Sequence, residues 1–284
     1  MAAEIIYGNK IAEKIREHIK MDVKRLHNQG ITPGLAVIIV GDNPASKTYV
    51  RMKQRASEKV GILSRVIEMS KETTQEQLVQ KVVELNEDPT IHGILVQLPL
   101  PKQIDEKVII ETISPDKDVD GFHPSNIGRL LTNQECFVPC TPLGILQLVK
   151  ETGITIAGKH VVVVGRSNIV GKPVGQLFLN ENATVTYCHS ATKDLYQHTK
   201  QADILIVAVG KPNFIEGDGV KDGAVVIDVG NTYLENGKVF GDVHFNQIKE
   251  IASYITPVPK GVGPMTITML LQNTIKGAEK TIRS

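Results

Sequence analysis

Tyr49 and Lys53 stand four residues apart in the run Pro44–Val60. That run reads as a helix: Asn43 is a good N-cap, Pro44 suits the first helical position, and Gly61 ends it. The four-residue spacing puts both side chains on one face, about one turn apart. A tyrosine beside a lysine can move protons when the lysine is desolvated or held neutral. The same helix carries Lys47, Arg51, Arg55 and Lys59, so the alternative is a basic, solvated face. Gln97 lies near the end of the apolar run Gly93–Leu98, and Pro99 and Pro101 stop the strand. A polar side chain at the carboxyl end of a buried strand is well placed for a site. Its alternative is an amide tied to a loop. Asp120 can accept hydrogen bonds from an amino-substituted heterocycle, or else it stabilises a turn or caps a helix. Asp116, Asp118, Asp120 and His123 lack the Gly and Glu offsets of an EF-hand, and no metal is expected.

A second constellation follows the apolar run Val161–Val164. Gly165 comes at once after it, and Gly165-Arg-Ser-Asn-Ile-Val-Gly171-Lys-Pro-Val-Gly175 then enters a helix. Glycines let a backbone approach a pyrophosphate, and a helix N-terminus offers free N–H groups and a positive dipole end. The alternative is a tight connection and nothing more. The next strand, Thr184–Cys188, ends in His189-Ser190-Ala191-Thr192-Lys193. Folds that prefer NAD place an acid there for the ribose 2′-hydroxyl. Hydroxyls and a lysine replace it here, and Arg166 sits directly after the first glycine. A guanidinium with nearby hydroxyls suits a 2′-phosphate, so the residue types favour NADP. The alternative for Arg166 is a solvated loop charge.

The elements that must position these residues are strands alternating with helices. Leu35–Val40, Gly93–Leu98, Val161–Val164, Thr184–Cys188, Ile204–Ala208 and Val225–Val229 are rich in Val and Ile and mostly lack period-two alternation. That pattern marks a parallel sheet covered on both faces. Helices are expected over Ile11–Gln29, Pro44–Val60, Thr74–Leu85, Pro142–Gly153 with Thr141 as cap, and Met265–Lys280. The Pro- and Gly-rich stretch Ser114–Pro142 reads as a long loop joining two α/β halves, and Thr256–Thr266 as a second irregular stretch. The 284 residues, 41% hydrophobic and 22% charged, are those of an ordinary globular chain. A net charge of +1 and the lack of Trp argue against a nucleic-acid binder. Three cysteines, Cys136, Cys140 and Cys188, give no disulfide framework and read as buried free thiols. No apolar run approaches the ~20 residues of a membrane span, and Met1–Lys10 has no signal-peptide core, so the expected compartment is a reducing cytoplasm.

Six ordered motifs carry a resemblance across nearly the whole chain: Tyr49-Val-Arg-Met-Lys53, Val96-Gln-Leu-Pro-Leu-Pro101, Asp116-Lys-Asp-Val-Asp-Gly-Phe-His-Pro124, Pro139-Cys-Thr-Pro142, Gly165-Arg-Ser-Asn-Ile-Val-Gly-Lys-Pro173 and Gly261-Val-Gly-Pro-Met-Thr266. Together they resemble the bifunctional methylenetetrahydrofolate dehydrogenase/methenyltetrahydrofolate cyclohydrolase family. The resemblance implies two three-layer α/β domains. One is an N-terminal catalytic domain, residues 1–120 plus the returning helix 267–284. The other is a C-terminal Rossmann-type NADP-binding domain, residues 140–266. Residues 121–139 are the expected linker, and a folate cleft is implied between the domains. It further implies a homodimer that pairs through the cofactor domain, tetrahydrofolate substrates, and a role in tetrahydrofolate interconversion feeding purine, methionine and histidine synthesis.

Under that resemblance Lys53 looks like the catalytic lysine and Tyr49 its folate-side neighbour. Gln97 looks like the amide that tunes the lysine, and Asp120 like the carboxylate that holds the pteridine. Gly165, Arg166, Ser167 and Ser190 match the family's NADP contacts. Two positions depart from the family pattern. Asn231 stands where an apolar cofactor contact is usual, and Lys260 replaces a glycine beside the folate cleft. Lys260 there can meet the anionic glutamate tail of the substrate, the alternative being a charge pointing to solvent. An NADP dehydrogenase of another class accounts for the second half of the chain but not for Tyr49, Lys53, Gln97 and Asp120. A non-catalytic nucleotide-binding module is expected to have lost Lys53 or Gln97, and both are present. Arg166→Ala is expected to weaken NADP far more than NAD, because only NADP carries the 2′-phosphate. Titration of both cofactors checks it, and equal losses would refute the role.

Overall fold

The computed structural model describes residues 2–233 and 238–283. The chain opens with strand β1 (Glu4–Ile5) and helix α1 (Gly8–Asn28), then β2 (Gly34–Val40), α2 (Pro44–Val60), β3 (Leu63–Met69), α3 (Gln75–Glu87) and β4 (Gly93–Val96). Helices α4 (Glu106–Thr112), α5 (Pro124–Leu131) and α6 (Cys140–Lys150) follow. Next come β5 (His160–Val164), α7 (Gly171–Asn180), β6 (Thr184–Cys188), α8 (Leu195–Thr199), β7 (Ile204–Val207) and β8 (Val225–Asp228). The chain ends with β9 (Thr232–Tyr233), β10 (Val239–Phe240), α9 (Phe245–Ile248), β11 (Tyr254–Ile255) and α10 (Val262–Arg283). These elements form two compact units, one of residues 1–13 and 141–266, the other of residues 14–140 and 267–284.

The second of these units is built on a parallel sheet in the order β3-β2-β4. Every residue of β2 is buried, as its unbroken apolar run requires of a central strand covered on both faces. On one face Ile38, Ile94 and Val96 pack with Leu78, Val82 and Leu85 of α3. Helix α2 has the ends its sequence specifies. The Asn43 side chain accepts the Ser46 N–H, and Gly61 closes the helix in the left-handed region at φ 86°. Helix α10 closes this unit too: a Cβ on Gly277 would stand 2.2 Å from the His92 carbonyl oxygen, so only glycine allows that approach.

The first unit holds a six-stranded sheet in the order β1-β11-β8-β7-β5-β6, parallel at every pairing. The order reverses at β5, whose neighbours are β6 and β7. In such sheets ligands bind outside the carboxyl ends of the strands at that switch point. Val162, Val164, Leu205, Val207 and Val226 form its buried core.

The architecture matches the expected two α/β domains, and several boundaries move. Residues 2–13 join the cofactor-type unit rather than the catalytic one, because β1 extends its sheet by pairing Glu4 with Tyr254 and Ile5 with Ile255. Residues 121–139, expected as a linker, group with the unit of residues 14–140 and 267–284 and contain α5, where His123 caps and Pro124 occupies the first turn. The strand β3 has no apolar run to mark it, because it is an edge strand with Arg65 and Glu68 among its residues, paired on one side only. Helix α6 starts at Cys140, ahead of the expected Thr141 cap, and α10 starts at Val262 rather than Met265. Strand β4 ends at Val96, although the Gln97 N–H still bonds the Ile38 carbonyl.

Candidate functional site

Of the cations on α2, only Lys53 turns inward. Arg51, Arg55 and Lys59 are exposed, and Lys47 pairs with Asp42 at 2.6 Å. Lys53 is 8% exposed and shares its buried face with Val50, Ala56, Ser57 and Val60. A solvated basic face is therefore not what this helix presents at Lys53. The Lys53 ammonium donates to Gln97 Oε1 at 3.0 Å. Gln97 Nε2 donates to the Leu98 carbonyl at 2.8 Å, which commits the amide nitrogen and leaves its oxygen for Lys53. Tyr49 is half-buried one turn earlier on the same helix.

Asp120 completes the cluster. Burial pushes its carboxyl above the ordinary range, while the Lys53 charge and the Cys140 thiol draw it back down. The loop that carries it is fixed from several sides. Gly121 has φ 76°, and a Cβ there would stand 2.6 Å from Pro139 N, so the backbone beside it requires glycine at that position. The Cys140 thiol donates to the Val119 carbonyl at 3.2 Å. Burial and the nearby Asp120 push that thiol well above its usual range, which keeps it protonated and a donor. Asn273 on α10 donates from Nδ2 to the carbonyls of Val119 at 2.8 Å and Val138 at 3.0 Å. Asp118 supports the same loop by accepting the N–H groups of Phe122 and His123 and Nδ2 of Asn126. Its carboxyl is pushed up to about 6 by burial. The other candidate metal ligands are otherwise engaged: Asp116 pairs with Lys280, and His123 Nδ1 accepts the Ser125 N–H at the start of α5.

The glycine turn after β5 has the form that a close ligand needs. Gly165 has φ 132°, and a Cβ on it would stand 2.3 Å from the Ala208 carbonyl oxygen. A Cβ on Gly171, at the start of α7, would stand 2.5 Å from the Gly165 carbonyl oxygen. The Ser167 hydroxyl accepts the N–H groups of Val170 and Gly171, both at 3.2 Å, so its oxygen caps the helix and its proton remains to donate. Val164 is in register with Cys188. Arg166 and Ser190 therefore each stand two residues past paired strand ends, and both are exposed. An anion at this edge of the sheet meets a guanidinium, two hydroxyls and a helix N-terminus. Asn231 is exposed two residues past the adjoining β8–loop junction at Val229, in the same unit. Lys260 is exposed with φ 85°, and its carbonyl accepts the Asn9 N–H.

These features define a two-unit α/β protein with a buried lysine bonded to an amide beside a carboxylate in one unit and a dinucleotide-type glycine turn in the other. Comparison with known proteins gives the family. The model of the tetrahydrofolate dehydrogenase/cyclohydrolase catalytic domain matches residues 6–120, and that of the NAD(P)-binding domain of the same family matches residues 139–282. The chain belongs to the tetrahydrofolate dehydrogenase/cyclohydrolase family. The bifunctional protein FolD of Bacillus cytotoxicus is 64% identical over 280 residues, spanning 99% of this chain and 98% of that one. The Campylobacter jejuni bifunctional enzyme FolD superposes with a TM-score of 0.97 at 49% identity, over 99% of this chain and 100% of that one. The Trypanosoma brucei FolD, solved with NADP cofactor and inhibitor, has a TM-score of 0.96 at 40% identity, with both chains fully covered.

The structure brings Lys53, Gln97 and Asp120 together, with Tyr49 one turn earlier on α2; Cys140, Asn273 and Asp118, which hold the Asp120 loop, are not among the site residues expected from the sequence. A buried Asn on a C-terminal helix carries no local signal of a contact 154 residues away. Asn273→Ala removes the donor to the Val138 carbonyl and one of the two donors to the Val119 carbonyl, and is expected to cost about 1–2 kcal/mol. Urea unfolding checks this as a lowered midpoint at constant slope. A variant as stable as the parent would mean that the carbonyls find other donors.

Proposed function

We propose that this chain oxidises 5,10-methylenetetrahydrofolate to 5,10-methenyltetrahydrofolate with NADP and hydrolyses the product to 10-formyltetrahydrofolate. The observation that carries this reading is the buried Lys53 held by Gln97 beside Asp120, in a chain of this family. Gly165, Arg166, Ser167, Ser190 and Asn231 hold NADP in this reading. The missing acid after Cys188 and the forked donor at Arg166 favour the 2′-phosphate. The NADP bound to the Trypanosoma brucei relative supports the same choice. The chemistry that NADP supplies when bound is acceptance of a hydride.

Asp120 accepts hydrogen bonds from the pteridine amino and ring N–H groups and fixes the folate's orientation. Tyr49 packs beside the substrate. In the hydrolytic step water adds to the methenyl carbon, the bond to N5 breaks, and one proton leaves. Of the water's two protons one is the proton released, and Lys53 carries the other from the added water to N5, first as base and then as acid, while the Gln97 amide fixes the Lys53 nitrogen at the reacting atoms. The desolvated face of α2 keeps Lys53 out of bulk solvent. Lys260 offers a positive charge to the glutamate tail of the substrate. The same reading gives a homodimer paired through the cofactor unit, which light scattering would check. It also places the chain in the cytoplasm, in line with three buried free cysteines. Among the described residues no helix is long and apolar enough to cross a membrane.

Mixing the protein with methylenetetrahydrofolate and NADP, and following NADPH and methenyltetrahydrofolate by absorbance, tests both activities. Lys53→Met is expected to abolish cyclohydrolase turnover while folate still binds, and normal turnover in that variant would remove Lys53 from the mechanism. Lys260→Gly separates binding from backbone strain. A non-glycine residue in the left-handed region is strained, so the variant should melt slightly higher, by about 0.5–1 kcal/mol in stability. Its KM for polyglutamylated folate should rise, and an unchanged KM counts against the tail contact.

A further inference from the structure

Two acids of the cofactor unit are buried as deeply as its core, and the roles proposed above use neither. Asp242 is fully buried and Asp228, the last residue of β8, is 2% exposed. Ionised carboxylates are costly to bury unless hydrogen bonds replace their water. Here backbone N–H groups do so. Asp242 Oδ2 accepts Val209 N at 2.6 Å and Gly210 N at 2.9 Å, and its Oδ1 accepts Lys211 N at 2.9 Å. One carboxylate thus gathers three successive amides of the loop that leaves β7. Asp228 repeats the device. Its Oδ1 accepts Gly230 N at 2.9 Å and Asp242 N at 2.8 Å, and its Oδ2 accepts Val243 N at 3.2 Å. The two acids form a relay: Asp228 fixes the backbone of Asp242, and Asp242 fixes the β7 loop.

The space around the relay is reserved for it. A Cβ on Gly230 would stand 2.3 Å from Asp242 N, and a Cβ on Gly241 1.8 Å from Asp228 Oδ2. The Thr256 hydroxyl accepts the Asp228 N–H at 2.8 Å, which ties the strand end to the stretch after β11. The loops so held lie where a dinucleotide would pass. Ala208, one residue before the first amide that Asp242 gathers, is the residue whose carbonyl oxygen forbids a side chain on Gly165. Gly210 turns at φ 67°, and Gly230 directly precedes Asn231. Strands β7 and β8 adjoin β5 in the order β8-β7-β5, and their carboxyl ends form one edge.

We propose that Asp242 and Asp228 are positioning residues for the cofactor, setting the loops after β7 and β8 in the conformation that NADP binds. The inference rests on the reading of this unit as an NADP site and adds that the site's shape depends on two acids that do not touch the cofactor. It accounts for the cost of burying two neighbouring carboxyls, which pushes Asp228 up to about 7 even with three amides on it. Backbone loops at a binding edge must keep their N–H groups aimed and cannot bond each other as strands do. A carboxylate that accepts several at once fixes them without covering the edge.

The test uses the full chain, its Asp242→Asn variant and its Asp228→Asn variant. An amide side chain keeps the size but turns one acceptor into a donor that faces N–H groups. NADP affinity is measured by isothermal titration, methenyltetrahydrofolate hydrolysis by absorbance, and folding by thermal melting without cofactor. The expected result for Asp242→Asn is a Kd for NADP raised about tenfold or more. That loss should exceed any change in hydrolysis, which uses no NADP, by about tenfold, with cooperative melting kept. Asp228→Asn should move the same readouts in the same direction. Unchanged NADP affinity in folded variants would overturn the proposal. So would parallel loss of NADP binding, hydrolysis and cooperative melting in both variants, which would make the pair a requirement of the fold. A wild-type chain that hydrolyses methenyltetrahydrofolate but binds no NADP would fail the cofactor reading itself and take the inference with it.

Discussion

An ammonium group gives up strong hydration when it is buried, and it stays buried only where fixed acceptors replace the water. The 3.0 Å contact between Lys53 and the Gln97 amide oxygen is that replacement, and much of the catalytic unit follows from it. Gln97 must sit one residue past a buried strand, so β4 has to end where it does. Its own nitrogen must be committed elsewhere, and the Leu98 carbonyl takes it. Helix α2 must turn one cation of five toward the sheet, which its pattern of Val50, Ala56, Ser57 and Val60 brings about. Asp120 supplies the opposite charge, and the loop carrying it needs Gly121, Cys140 and Asn273 to hold still.

The same physical device recurs in both units. A buried acid that accepts several backbone N–H groups fixes a loop beside a parallel sheet. Asp118 does so beside Asp120, and Asp228 and Asp242 do so at the ends of β7 and β8. Strand interiors are rigid through their ladders, but the residues just past them have no ladder to join. A short acid with two oxygens and about four lone-pair sites meets that need compactly. Desolvation raises the Asp118 and Asp228 carboxyls to about 6 and about 7, and the backbone donors limit that rise. Glycines complete the joints by leaving room where a side chain would collide with a carbonyl or a carboxylate, as at Gly165, Gly230 and Gly241.

Local sequence determined whatever depended on neighbours in the chain. Asn43, Pro44 and Gly61 set the ends of α2 because caps act within one turn. Largely apolar, Val- and Ile-rich runs located β2, β5, β7 and β8 because a strand covered on both faces has no solvent side to encode, whereas β6 is a half-exposed edge strand. The spacing of Tyr49 and Lys53 and the glycine turn after Val164 were legible for the same reason: each is a local geometry. The tertiary structure decided what depended on partners far away in sequence. Periodicity could not say which of five cations on α2 is buried, since that depends on Gln97, 44 residues on. It could not place β1 or β11, two residues each, because such strands exist only by pairing with β8 and with each other. Nor could it find Asn273 or Asp242, polar residues without a motif, whose roles consist of amides and carbonyls that the fold alone brings to them.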